Sequence, residues 1–431
     1  MYNNDFNMNN NYELYNNQVM YNNHPKKKSN LIKWIIVILL VVALVFVVLN
    51  LFDIELLTKE YHVTFALNGA DEIETMEVKC QSNFNRECQV TLPVAKRNNG
   101  EVLGYSRDMN SKEAEYKIGD QLHLTSDMNL YVISKKENKL IIDKSNVDEV
   151  RDGKTSCIVY NNEKACKVDV PIFNKLGYKI EGYTKEKGNI NNLVEFNSKI
   201  ELNNNITLYP VYGEYQYYTN TSKTHFKVDK SVFLHNMYLD IDYNCNSVAN
   251  SLISNLNKLF TTYPFYSYNS KIMLLNEINY TAFERASGFS NSAGFTNEYE
   301  PKNPTVLVMC TESLSPYIVA VHELTHVIDV KYKAISGHFL AEEKELINLR
   351  NKYKNVNNRP LRDYAYSDSG NSNVPEFFAE LITYYYFNYV DTSYVIDEAG
   401  YRRGNFPDDM KKIAEKYLCI GRNNYDFSKC S

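Results

Sequence analysis

The chain has 431 residues, of which 44% are hydrophobic, enough to fill more than one buried core, so two or three domains are expected. A formal net charge of −5 and a pI near 6.0 supply no positive field to draw the molecule onto nucleic acid or an acidic membrane surface. Nucleic acid is therefore excluded as a partner class.

Residues 1–30 open with "MYNNDFNMNNNYELYNNQVMYNNHP", rich in Asn and Tyr and without apolar periodicity. Such a segment buries too little surface to offset its ordering entropy, and a disordered cytoplasmic tail is predicted. The next run, "WIIVILLVVALVFVVLNLF" from Trp34 to Phe52, contains no charge. As a helix it reaches about 28 Å at ~1.5 Å per residue, enough for a bilayer core. A transmembrane signal-anchor helix over 31–53 is predicted. A cleaved signal peptide is the rival reading, but the run is longer than an h-region and no small-x-small site follows it. Lys26, Lys27, Lys28 and Lys33 precede the span, and Asp53 and Glu55 follow it. The positive-inside rule then gives a single-pass cell-membrane protein with a cytoplasmic N-terminus and an extracellular remainder. All eight cysteines follow the span, an even count that fits disulfides on an oxidising side.

From Tyr61 to Tyr212 the chain repeats itself at an offset of 78 residues. "CQVTLP" (Cys88–Pro93) recurs as "CKVDVP" (Cys166–Pro171), "GYSRD" (Gly104–Asp108) as "GYTKE" (Gly182–Glu186), and "NLYV" (Asn129–Val132) as "TLYP" (Thr207–Pro210). Short alternating runs such as "YHVTFAL" and "QLHLTS", broken by Asn, Gly and Asp, read as strands of two small β-rich modules at 60–136 and 137–214. Each has a close cysteine pair, Cys80 with Cys88 and Cys157 with Cys166, at a separation suited to stapling a hairpin over a small core. Cys245 with Cys310 and Cys419 with Cys430 follow by elimination. The modules resemble the Listeria–Bacteroides (internalin B-type) repeat in the opening "YHVTF", the mid-repeat proline, the Gly-aromatic step and the closing "LY". That resemblance implies a β-grasp-like fold. Two departures stand out: Tyr105 and Tyr183 replace the usual Trp, and the second copy has no clear opening strand. The pair serves either as a passive stalk or as a ligand-binding unit.

The third region, 220–431, contains "SPYIVAVHELTHVIDVKY". Its His322, Glu323 and His326 form H-E-x-x-H, which on a helix turns two imidazoles to one face with a carboxylate beside them. Ser315 and Pro316 read as an N-cap and a first turn, and Ile318, Val319, Leu324, Val327 and Ile328 as the surface that buries the helix. "PTVLVMC", Pro304–Cys310, reads as a buried or edge strand upstream, a wall for holding an extended peptide. One Zn²⁺ per chain is the cation expected, and it requires a third protein ligand. Glu345 in "LAEEKEL" follows His326 by 19 residues, in what looks like a charged, solvated helix. Glu376 in "VPEFFAELITYYYF" follows Pro375, which reads as a helix start, and shares a face with Glu380 among aromatic residues. Both glutamates remain candidates.

"HELTHVID" followed by "DYAYSDSGNSNVPEFFAE" resembles the family of the anthrax lethal factor catalytic domain and the secreted Pro-Pro endopeptidases, over about 200 residues from near Phe226. The resemblance implies an α+β gluzincin-type metalloprotease fold with His322, His326 and Glu376 as zinc ligands and Glu323 as general base. Asp329 and Glu380 are candidates to support the ligands, each with an ordinary surface position as its alternative. The family's tyrosine position falls on Ser369 here, so a catalytic tyrosine would be Tyr364 or Tyr366. "NSAGFT", Asn291–Thr296, would form the cleft rim. These expectations describe a membrane-anchored extracellular zinc endopeptidase acting on peptide or protein substrates. The competing readings are an adhesin-like binding protein with an inactive protease-like domain, and an aminopeptidase built on Glu345.

Overall fold

A computed structural model of the chain describes residues 31–51, 58–82, 87–151, 153–216, 223–268, 271–287, 292–296, 304–311, 315–367, 373–394, 406–423 and 429–430. The tail expected at 1–30, the charged flanks at 26–28 and 52–57, and Ser369 lie outside these residues. The described part is multidomain and mixed α/β, with one apolar N-terminal helix and several β-sheets. Helix α1, Leu31–Leu51, is formed by the apolar run. Its Leu31–Val48 window has a mean hydropathy of 3.2 and is 0% buried, so by length and composition it suits a membrane span or a signal sequence.

The first repeat is built from β1 (Glu60–Ala66), β2 (Glu77–Gln81), β3 (Glu101–Ser106) and the first part of β4 (Met128–Ile142). The second takes the rest of β4 with β5 (Ser156–Tyr160), β6 (Lys179–Thr184) and β7 (Ile206–Gly213). β1 pairs antiparallel with β2 and parallel with Met128–Tyr131, while Leu140–Ile142 pairs parallel with β7. The border expected at 136/137 therefore falls inside a strand that both repeats share. The same strand contains the opening element that the second copy lacks at an offset of 78. It lies at an offset of 77: Tyr61 opposite Cys80 answers to Asn138 opposite Cys157. The extra residue falls between the cysteines, whose separations are 8 and 9. Side chains alternate with period two, so a one-residue slip sets apolar positions against polar ones and hides the match.

The Gly-Tyr step sits at a bulge in each repeat, with Tyr105 and Tyr183 fully buried. A Cβ on Gly104, whose φ is 141°, would stand 2.1 Å from the Tyr116 carbonyl oxygen, so only glycine fits there. All four expected cysteine pairs are bonded.

In the C-terminal region β8 (Lys230–Leu234), β9 (Met237–Ile241), β10 (Lys271–Leu275), β11 (Gly294–Thr296) and β12 (Thr305–Met309) form a sheet in the order β8-β9-β10-β12-β11. β9, β10 and β12 are parallel, with β8 and β11 antiparallel at the two edges. Every residue of β9 and β10 is buried, as expected of strands covered on both faces, and the one charge in each, Asp240 and Lys271, is paired with the other. "PTVLVMC" is accordingly an interior strand, and the edge beside it is β11, from "GFT". One face of the sheet packs with α2 (Asn246–Thr262), α4 (Pro316–Ser336) and α6 (Asn373–Tyr385) in a single core, joined by α5 (Lys344–Lys354) and α7 (Asp408–Arg422). The other face packs Tyr215, Phe226 and Phe283, the last from α3 (Glu277–Ser287). The second repeat is seated on the same sheet. Its Asn174 and Gly177 donate to Asp240 of β9, and its Lys175 carbonyl accepts from Lys271 of β10.

Candidate metal centre

α4 is buried without interruption from Tyr317 to Val330, so the two histidines and Glu323 occupy a helix with no solvated side over that stretch. Pro316 lies in the first turn, where its missing N–H has no helical partner to lose, and Gly337 ends the helix at φ 87°. Ser315 is the residue at the N-cap, but its hydroxyl bonds Tyr394 instead of a helix amide. α6 packs along α4 and starts at Asn373, two residues ahead of the expected Pro375.

Glu376 Oε2 lies 3.1 Å from His322 Nε2 and 3.6 Å from His326 Nε2, and the two imidazole nitrogens are 3.2 Å apart. A tetrahedral site with zinc–ligand bonds of ~2.0–2.1 Å has ligand-to-ligand edges of roughly 3.3 Å, so the three donors stand at the separations such a site requires. Two imidazole nitrogens facing each other beside a carboxylate also present a donor set shaped for a cation. These three residues form a buried His-His-Glu group able to hold a metal ion. Glu345 is not among them: it accepts from Lys416 and from the Tyr417 hydroxyl of α7.

Glu380 is fully buried, its Oε1 3.2 Å from His322 Nδ1, and Arg362 grips its carboxylate with two nitrogens. A carboxylate behind a ligand imidazole fixes its tautomer and ring orientation. The solvent-facing alternative for Glu380 is thereby excluded. Asp329 is also buried, not at the surface, and accepts the Ala341 amide at 3.0 Å, tying α4 to the turn that follows it.

Electrostatics separate the carboxylates. Burial opposes charge on His322, yet the Glu376 and Glu380 carboxylates hold its imidazole at about 10. Burial likewise works against Glu376, but the His326 and His322 imidazoles keep its carboxyl well below the usual range. Glu380 is lowered too, against burial, by His322 and Arg362. Glu323 alone moves up, because burial outweighs the two histidines. Carboxylates driven apart in this way suit different tasks, two holding cations and one handling a proton.

The two candidate tyrosines separate cleanly. Tyr364 is 54% exposed, and burial, then the Glu376 and Glu323 carboxylates, raise its pKa above the ordinary value. Tyr366 is 3% exposed, packed on Phe377 with Arg359 over its ring. The described part of "NSAGFT" forms β11 and stands against Glu323. Arg362 was not anticipated: it sits in "PLRDYAY" with no local signal. Thr296 belongs to the expected rim, but its hydrogen bond to Glu323 of α4 is a contact that no spacing reveals.

No protein-family profile matches the chain, and no curated protein matches it.

Proposed function

We propose that the chain is a membrane-anchored zinc endopeptidase acting outside the cell. The observation that carries the reading is the convergence of His322, His326 and Glu376 within 4.8 Å of one another, beside a buried Glu323 and an edge strand. The apolar helix and the four disulfides support an anchored, oxidising-side location.

Zinc held by these three side chains would supply Lewis acidity toward water and toward a peptide carbonyl. The outer edge of β11, the last strand of the sheet among the described residues, would offer main-chain groups to an extended peptide, laying the scissile bond across α4. Glu323, whose pKa burial raises above the usual carboxylate value, accepts the proton of the attacking water and returns it to the leaving amine. The Tyr364 hydroxyl, with Glu376 and Glu323 beside it, donates to the oxyanion as charge develops there. Glu380 and Arg362 keep the His322 ring in place throughout.

The test is the full chain purified in detergent, assayed for bound metal by mass spectrometry and for peptide-library cleavage. Near-stoichiometric zinc and chelator-sensitive cleavage are expected, with Glu323→Ala retaining zinc and losing activity by several orders of magnitude. Zinc should be lost in Glu376→Ala and kept in Glu345→Ala. Cleavage that survives chelation, or a folded chain that binds no zinc, defeats the proposal.

A further inference from the structure

β11 places alternate side chains on its two faces. Phe295 points away from the centre, its ring 5.5 Å from Phe283. Gly294 and Thr296 both face α4, and both meet the same residue. The Thr296 hydroxyl, 4% exposed, stands 2.8 Å from the Glu323 main-chain carbonyl oxygen and 2.8 Å from its Oε2. One hydroxyl proton is thus shared between the backbone and the carboxylate of a single residue, an arrangement that ties the side chain back toward its own helix. On the other side, a Cβ placed on Gly294 would lie 2.6 Å from Glu323 Cγ, 2.6 Å from Oε1 and 2.5 Å from Val319 Cγ1. The strand therefore leaves room for one placement of the Glu323 carboxylate and fastens Oε2, with Oε1 on the Gly294 side.

We infer that β11 aims Glu323: Thr296 is a positioning residue that fastens Oε2, and Gly294 is the absence of a side chain that the placement demands. The strand that offers its edge to a peptide thereby also sets the group that acts on that peptide, so the bound main chain and the proton acceptor share one frame. This rests on the peptidase reading for its kinetic consequence, though not for its geometry. A misplacement of a reacting group by about 1 Å costs on the order of 100-fold in rate.

The experiment compares wild type, Thr296→Val, Thr296→Ser and Gly294→Ala in the full chain. Thr296→Val keeps the shape and removes the hydroxyl, and Thr296→Ser restores it. Expected is a kcat lowered on the order of 100-fold in Thr296→Val with KM and zinc content unchanged, and recovery to near wild type in Thr296→Ser. Crystal structures of the metal-free variants give a second readout: the Glu323 carboxylate should leave its position in Thr296→Val and Gly294→Ala and keep it in Thr296→Ser. An unmoved carboxylate in Thr296→Val, or equal kcat losses in the Val and Ser variants, overturns the inference. A wild type that cleaves nothing refutes the peptidase reading alone, and the crystal structures then decide the role of Thr296.

Discussion

Removing the Asp240 carboxylate should destabilise the C-terminal sheet and the second repeat together. Asp240 Oδ2 lies 2.7 Å from Lys271 Nζ, and both side chains are 0% exposed. The same carboxylate accepts the Asn174 side-chain amide at 3.1 Å and the Gly177 amide at 3.0 Å, while Lys271 also donates to the Lys175 carbonyl at 2.8 Å. Asp240→Ala deprives one ammonium and two N–H groups of their acceptor. A buried charge that loses its partner costs about 3–5 kcal/mol, and a stranded donor about 1–3 kcal/mol more. Lys271 keeps the Lys175 carbonyl, so the low end applies to the charge and to both donors, and about 5 kcal/mol is expected, a large share of a typical ~5–15 kcal/mol total. Lys271→Met should cost a similar amount, by leaving a buried carboxylate with neutral donors only. The double variant Asp240→Asn with Lys271→Met should recover part of the loss, because neutral groups of similar volume are tolerated where an isolated charge is not. Urea unfolding followed by the near-ultraviolet circular dichroism of the tyrosines measures all three. A loss under about 1 kcal/mol for Asp240→Ala, or a double variant as unstable as the two singles added, refutes the reasoning.

Tyr364→Phe should lower kcat by roughly 10²–10³ while zinc binding and KM hold, whereas Tyr366→Phe leaves kcat unchanged; the reverse pattern in steady-state kinetics assigns the hydroxyl to the other tyrosine. Arg362→Ala frees the buried Glu380 from its clamp and should weaken zinc affinity about 10- to 100-fold in a competition titration with a chromophoric chelator. An unchanged affinity there would show that His322 needs no such support. Lys331 is pushed down to about 8 by burial, with Glu195 pulling it back up. Its folded pKa lies below the unfolded value of ~10.4, so the half-buried charge is penalised in full below pH 8, and the penalty fades as pH rises through 8 toward 10. Lys331→Met should therefore be more stable than wild type at pH 7, by a margin that shrinks between pH 8 and 10; a constant margin contradicts the assignment.

The histidines and Glu323 were legible because four residues make about one helical turn, so neighbourhood along the chain became neighbourhood in space. Glu345 and Glu376 could not be ranked that way. What separates them is that α6 packs on α4, while Lys416 and Tyr417 of α7 hold Glu345 elsewhere. Tyr364 and Tyr366 sit two residues apart in one short turn, which leaves the first exposed and buries the second. Thr296 and Arg362 reach their partners across 27 and 18 residues of chain; Thr296 stood in the expected rim, but neither contact follows from local spacing. The opening strand of the second repeat was concealed by a single inserted residue, and its two neighbouring cysteines recorded that insertion in their unequal spacing.

The strand shared by the two repeats also determines how the chain bears load. β1 runs parallel to the first part of β4, and the last part of β4 runs parallel to β7. The path from α1 enters at the start of β1, and the path to the C-terminal sheet leaves from the end of β7. Tension between an anchor and that sheet draws β1 and β7 in opposite directions along their own lengths. Their hydrogen bonds to β4 are then loaded side by side in shear, not peeled one after another from an end, and must yield together. The repeats would thus hold their form under pulling forces that would unzip a simple hairpin.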